Sequence, residues 1–188
     1  DKNPEQVQKD IKDIIDRYGT LDIGSIMTTG YGFAVMRDGV KLESAGVGSS
    51  VNSLRSYSIY FGRGTGHGHK DCLNLNIDAY GLNFAPDLGY PEQTGAMPSG
   101  VQWTQGTLSH NTVMVDGKRQ LGMSPHGTPL HFDDSGRVKI TDIDATKAYT
   151  QTETYRRTLV MVEADDEASY GVDFFRILGG NDHIYSFH

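Results

Sequence analysis

His67 and His69 alternate with Gly66 and Gly68 in the run Gly66-His67-Gly68-His69-Lys70-Asp71, and Asp87 and His110 follow in Pro86-Asp87-Leu88-Gly89-Tyr90 and Ser109-His110-Asn111-Thr112. Imidazole nitrogens and a carboxylate are the donors a zinc ion takes, commonly three from the protein with a fourth position left for water or substrate. On an extended strand residues i and i+2 face one side, so His67 and His69 are expected to project together, with the glycines leaving room for a metal or a sugar. Asp87 ends the returning arm of a hairpin and is expected to come back beside them. His110 opens a further strand and closes the set, and Asn111 is placed to donate to a ligand or to fix a turn. On these residues alone, metal binding and an ordinary structural role both stand. His126, His131, His183 and His188 have no comparable setting and read as structural.

The elements that must position these groups are mostly strands. Residues 1–18 form one amphipathic helix, with Asn3 as N-cap, Pro4 at the first helical position and Glu5 in the first turn. Val7, Ile11, Ile14, Ile15 and Tyr18 fall on one face, and Gly19 ends the helix. Beyond it the pattern is β, with strands expected at residues 31–37, 55–61, 72–78, 112–115, 138–143, 155–162, 170–177 and 183–187. In the third of these, Leu73, Leu75 and Ile77 alternate with Asn74, Asn76 and Asp78, giving a buried and a polar face. Turns are expected at Asp38-Gly39, Tyr80-Gly81, Asp116-Gly117, Ser135-Gly136 and Gly179-Gly180-Asn181-Asp182, as in a meander or a sandwich. Residues 91–106 have no period and read as a loop near the site. The fold expected is a mostly β antiparallel sandwich behind one helix, with residues 1–20 a connector and 21–188 the β domain.

Composition narrows the function classes. The chain has 188 residues, enough for one domain with a real core, and its 37% hydrophobic and 22% charged residues are ordinary for a folded protein. A formal net charge of −7 without a basic stripe argues against nucleic acid as a partner. An anionic ligand would need a locally positive site, which a metal with neighbouring Arg and His supplies. Cys72 is the single cysteine, so no intrachain disulfide forms. No signal peptide and no apolar run of spanning length is visible, and the chain reads as a piece of a longer protein.

At this point the sequence resembles the heparinase II/III-like domain of bacterial polysaccharide lyases. The resemblance is carried by the His-x-His and Pro86–Tyr90 segments with Leu73, by Trp103 through Val113 (including Ser109-His110-Asn111-Thr112), and by Val115-Asp116-Gly117-Lys118-Arg119-Gln120. Tyr155-Arg156-Arg157, Val172 through Gly180 and Phe187-His188 extend it, so that it runs from about Gly30 to the last residue. It implies a β-sandwich ("supersandwich") domain that packs in the whole enzyme against an N-terminal α/α-toroid, which this chain lacks. It implies one structural zinc held by His69, Asp87 and His110, with His67 facing the substrate cleft. The implied reaction is β-elimination on an anionic, uronic-acid polysaccharide of heparin, alginate or related type. A base removes the C5 proton, the C4–O bond breaks, and the carboxylate is neutralised by preorganised donors.

His67 is the first catalytic candidate, with Tyr90 and Arg63 as weaker cleft candidates and Trp103 and Asn111 as substrate contacts. The Tyr and the Asn or His of the family's site belong to the toroid. The resemblance places the protein in the periplasm or outside the cell, and a homodimer is compatible with it. Two other readings stand beside it: a non-catalytic carbohydrate-binding or structural β domain, and a cupin-type metal enzyme. The cupin reading lacks the Glu that normally follows the histidine pair.

Overall fold

The structure, a computed structural model, describes residues 3–18, 24–39, 54–62, 68–89, 102–122, 126–165 and 167–188. Helix α1 spans Pro4–Tyr18. The Asn3 side chain accepts from the N–H of Glu5 at 2.7 Å and of Gln6 at 3.3 Å, the N-cap arrangement that satisfies otherwise orphaned donors. Lys9–Asp13 and Lys12–Asp16 pairs line its polar face at i, i+4. None of its residues is buried.

Two antiparallel sheets carry the rest. The first is a meander of β1 (Ile26–Thr28), β2 (Phe33–Asp38), β3 (Arg55–Tyr60), β4 (Asn74–Ala79) and β5 (Leu82–Asn83) in sequential order. After β6 (Val113–Val115), the second sheet is built from β7 (Thr128–Asp133), β8 (Val138–Asp144), β9 (Thr152–Glu163) and β10 (Ser169–Gly179), again in sequential order. Last comes β11 (His183–Tyr185), which returns to pair with β6 as a separate two-stranded ribbon. Tight turns need left-handed backbone where the sequence placed them. Tyr80 and Gly81 have φ of 54° and 76° between β4 and β5, and Asp116 and Gly117 have 54° and 64° after β6, the signature of two-residue hairpin turns.

The core is shared. Ala34, Met36, Ile59, Phe61 and Leu75 from the first sheet meet Ile143, Tyr155, Leu159 and Met161 from the second, with Val113 and Val115 between them. Each such large side chain removed from water stabilises the fold by about 1.5–3 kcal/mol, and together they make the two sheets a sandwich. Polar clamps fix the facing. Arg55, at the start of β3, pairs with buried Asp38 at 3.0 Å and reaches Ser169 Oγ and the Glu167 carbonyl at 2.8 Å each, tying the sheets at one end. Arg157 on β9 is fully buried. Its guanidinium donates to the carbonyls of Leu73 and Asn111 at 2.6 and 2.5 Å and pairs with Asp173 at 2.7 Å.

The structure differs from the sequence expectation in several places. Strand β1 is short and lies at an edge, and β7 contains Pro129, which has no N–H to give a ladder; a proline strand is tolerated only at an edge, and β7 is the last strand of its sheet. The strand expected from residue 72 begins at Asn74, because Asn74 N–H donates to the Asp71 carbonyl at 2.8 Å in a turn that holds Leu73 at φ 65°. His69 therefore lies in irregular chain ahead of β4, not on an extended strand. Asn74, read as polar-facing, is 2% exposed, since its Oδ1 accepts the Asn111 N–H at 2.8 Å.

Candidate metal centre

The loop carrying His69 is stitched down on both sides. Lys70 N–H donates to the Gln105 carbonyl at 3.1 Å, Thr107 Oγ1 donates to the Lys70 carbonyl at 2.8 Å, and Cys72 N–H donates to Gln120 Oε1 at 2.7 Å. Thr107–Ser109 is a single turn of 3-10 helix, and His110 caps it with extended backbone. Asp87 follows β5 and closes a tight turn by accepting the Gly89 N–H at 2.7 Å, with Gly89 at φ 66°. The chain just before it is held by the Asn111 amide, which reaches the Ala85 carbonyl at 3.4 Å.

These constraints bring three distant side chains together. His69 Nδ1 lies 2.9 Å from His110 Nε2. The Asp87 carboxylate bridges them, 3.5 Å from His69 Nδ1 and 3.0 Å from His110 Nε2. A tetrahedral ion with ligands at zinc-like bond lengths separates its donors by about 3.3 Å, and the three measured separations fall on either side of that value. His110 Nδ1 is 2.6 Å from the Gly106 carbonyl. A carbonyl only accepts, so Nδ1 carries a proton. Nε2 donates to the Asp87 carboxylate when it too is protonated and would turn its lone pair to an ion once it is not, the Nδ1 contact being of the kind that orients a metal-bound histidine.

Asp71 completes the group: one donor atom from each of His69, Asp71, Asp87 and His110 lies within 4.8 Å of all the others. Sequence reading passed over it as a donor, although it stands two residues after His69. Burial works against the Asp87 carboxylate, but hydrogen bonds from His110, His69 and the Gly89 N–H outweigh it and hold its pKa well below the usual carboxylate range. Burial depresses His110, and the hydrogen bond to Asp87 together with the charge of Asp71 more than reverses this, raising its pKa. Burial dominates at Asp71 and pushes its carboxyl up against the opposing pull of His110 and His69. The donor set is that of a divalent cation site, and it fits zinc.

Of the other sequence candidates, His67, Arg63 and Tyr90 lie outside the described residues. Trp103 is half-exposed, its carbonyl accepts from Ser109 Oγ at 2.6 Å, and its ring meets His188 edge-on at 6.3 Å. Asn111 is 1% exposed. Its Nδ2 donates to the Leu75 and Ala85 carbonyls, and its Oδ1 accepts the His188 N–H at 2.7 Å. The amide is thus committed to the backbone under the site. Beside Gly68 opens a cavity of about 610 Å³ lined by Tyr31, Tyr60, Phe61 and His126 among others, with the two tyrosine rings 5.9 Å apart. Sequence reading gave those tyrosines no role, and only their contact across the sheet edge could have suggested one.

The profile of the family described as heparinase II/III-like, C-terminal, matches residues 29–188. Among solved structures, the heparan sulfate lyase HepC from Pedobacter heparinus superposes with a TM-score of 0.67 at 14% identity, over 93% of this chain and 26% of that one. The heparinase III BT4657 gene product superposes with a TM-score of 0.68 at 19% identity, over 95% of this chain and 28% of that one. The chain therefore spans about a quarter of the length of these structures. Comparison with curated protein sequences gives no match.

Proposed function

Because the chain belongs to the heparinase II/III-like C-terminal family, we propose that it is the zinc-bearing β-sandwich of a polysaccharide lyase acting on uronic-acid polysaccharides by β-elimination. The observation that carries this reading is the convergence of His69, Asp87 and His110, with donors 2.9–3.5 Å apart, inside a chain of that family. His69, Asp87 and His110 hold the ion, which ties three loops into one cleft wall and supplies positive charge there. His67, two residues before His69 in the sequence, is the residue that resemblance to the family assigns to the substrate cleft.

In the elimination a base takes the C5 proton of a uronate. The electron pair forms the C4–C5 double bond, and the C4–O bond breaks with protonation of the departing oxygen. The C5 proton is removable only when the neighbouring carboxylate is neutralised, a task for preorganised donors in the cleft. His67 is the proton-transfer group this chain contributes, and Tyr90 and Arg63 are its candidates for contact with the sugar acid. Trp103, half-exposed, offers an aromatic surface to a sugar ring. The complementary Tyr and Asn or His come from an α/α-toroid, and the protein works in the periplasm or outside the cell. Among the described residues no helix is long and apolar enough to cross a membrane.

The test is to incubate the full-length, zinc-replete protein separately with heparan sulfate and with alginate and to follow the ultraviolet absorbance of the unsaturated uronate. A rise with either polymer, lost in His67→Ala, supports the reading. Absence of unsaturated product across heparan sulfate, heparin, alginate and hyaluronan removes it.

A further inference from the structure

Asp71 is 8% exposed, yet its Oδ1 has no hydrogen-bond partner. A buried carboxylate oxygen left in this way is costly unless a cation meets it. Among the described residues no lysine or arginine pairs with it; the neighbouring Lys70 side chain packs instead against Gly122. The Tyr60 hydroxyl and Cys72 thiol lie within electrostatic reach of Asp71, and His69, His110 and Asp87 face it in the 4.8 Å cluster. Two of these are imidazoles already turned toward one another, and the third is a carboxylate that adds negative charge. Among the described residues no permanently charged cation stands in contact with Asp71, only imidazoles.

We propose that Asp71 is a fourth protein ligand, so that the metal is closed off by two imidazoles and two carboxylates with no position left for water or substrate. This rests on the metal site proposed above and deepens it. Two neutral imidazoles and two carboxylates exactly balance a divalent ion, leaving a buried centre with no net charge. Closed four-ligand shells are the mark of structural zinc, whereas catalytic zinc keeps a position open. The turn at Asp71–Asn74, with Leu73 in the left-handed region, is then the backbone device that aims the carboxylate inward from a point just two residues beyond His69. The ion holds the cleft wall in place, and the proton transfers fall to side chains.

Cobalt(II) loaded into the protein in place of zinc reports its coordination through its visible d–d bands. In the wild-type protein, azide is expected to leave those bands unchanged. In Asp71→Ala, azide is expected to shift them, and zinc affinity by chelator competition should fall at least tenfold. The near-isosteric Asp71→Asn should lower affinity in the same direction. Azide-sensitive bands in the wild type, a measurement that needs no variant to fold, would overturn the closed shell. Unchanged zinc affinity in both Asp71 variants would overturn the ligand assignment. His69→Ala separates the two levels of the reading: if it retains full metal content, the site itself fails, whereas metal lost in His69→Ala but kept at full affinity in Asp71→Asn rejects Asp71 alone.

Discussion

His69 Nδ1 and His110 Nε2, from residues 41 positions apart, stand 2.9 Å from each other with the Asp87 carboxylate against both. Ring nitrogens at that separation can share at most one proton. A cation bound among them would take up the remaining lone pairs, so metal loading is expected to be linked to folding. A ligand at a hundred times its dissociation constant stabilises the native state by about 2.7 kcal/mol. For a domain of this size, stripping it with a chelator is expected to lower Tm by about 5–10 °C. Differential scanning calorimetry before and after chelation, with zinc added back, checks this; an unchanged Tm after verified metal removal counts against the linkage.

His67 and His69 should separate cleanly in the full-length protein. His69→Ala is expected to lose the metal and with it thermal stability. His67→Ala should keep about one metal per chain and a near-native Tm while turnover drops at least a hundredfold, the lower end of what a positioned proton-transfer group contributes. Elemental analysis beside the elimination assay distinguishes them.

Asn111 predicts a structural loss. Its amide donates to the buried Leu75 and Ala85 carbonyls and accepts from the N–H of His188 at the part-buried end of the chain. Asn111→Ala leaves those backbone groups without partners, at a cost of about 2–4 kcal/mol by the usual penalty for buried unsatisfied groups. Urea unfolding should show a lower midpoint with an unchanged slope. Because the same side chain steadies the stretch before Asp87, metal affinity should fall in parallel.

Arg157 reaches the carbonyls of Leu73 and Asn111, the segments that follow the proposed metal donors Asp71 and His110. Replacing it by Met breaks a buried ion pair and orphans both carbonyls, with an expected loss of about 3–5 kcal/mol. Asp173 is about a quarter exposed at its side chain, so Asp173→Asn should cost clearly less. Denaturant melts of the two variants and their double mutant would measure the coupling.

Cys72 is buried, and burial pushes its thiol from 9.0 up to about 12. Since the thiolate is the nucleophile, the native protein should resist alkylation at pH 8 and become reactive only on unfolding. Its folded pKa lies above its unfolded one. The thiol's contribution is therefore fully present below pH 9.0 and is lost as pH rises toward about 12, so stability should decline across that window. Melting temperatures from pH 8 to 11, compared with Cys72→Ala, would isolate the share due to this residue.

Much of the architecture was legible in the chain. Helix α1 with its Asn3 cap, the turns at Tyr80-Gly81 and Asp116-Gly117, and eight of the strands follow from signals that are local: side-chain period, capping oxygens, and residues that tolerate positive φ. The residues that converge were legible as types, with His69, Asp87 and His110 named as a set through resemblance to a family and found within 3.5 Å of one another. The edge strands β1 and β7 were not, because edges carry few of the apolar alternations that mark a buried strand.

The sequence alone determined the local conformations and the chemical kinds of donor available. Tertiary structure decided which donors meet. Asp71 looked like one carboxylate among many, and its role depends on burial without a partner. Asn74 was read as facing the polar side of a strand and Asn111 as a substrate contact or turn residue, and they are interior because each satisfies backbone groups brought in from a distant segment. The physical reason is common to all three. A turn is selected by the torsions of two residues, whereas the environment of a polar side chain is set by everything the two sheets pack around it, across sequence separations of tens of residues.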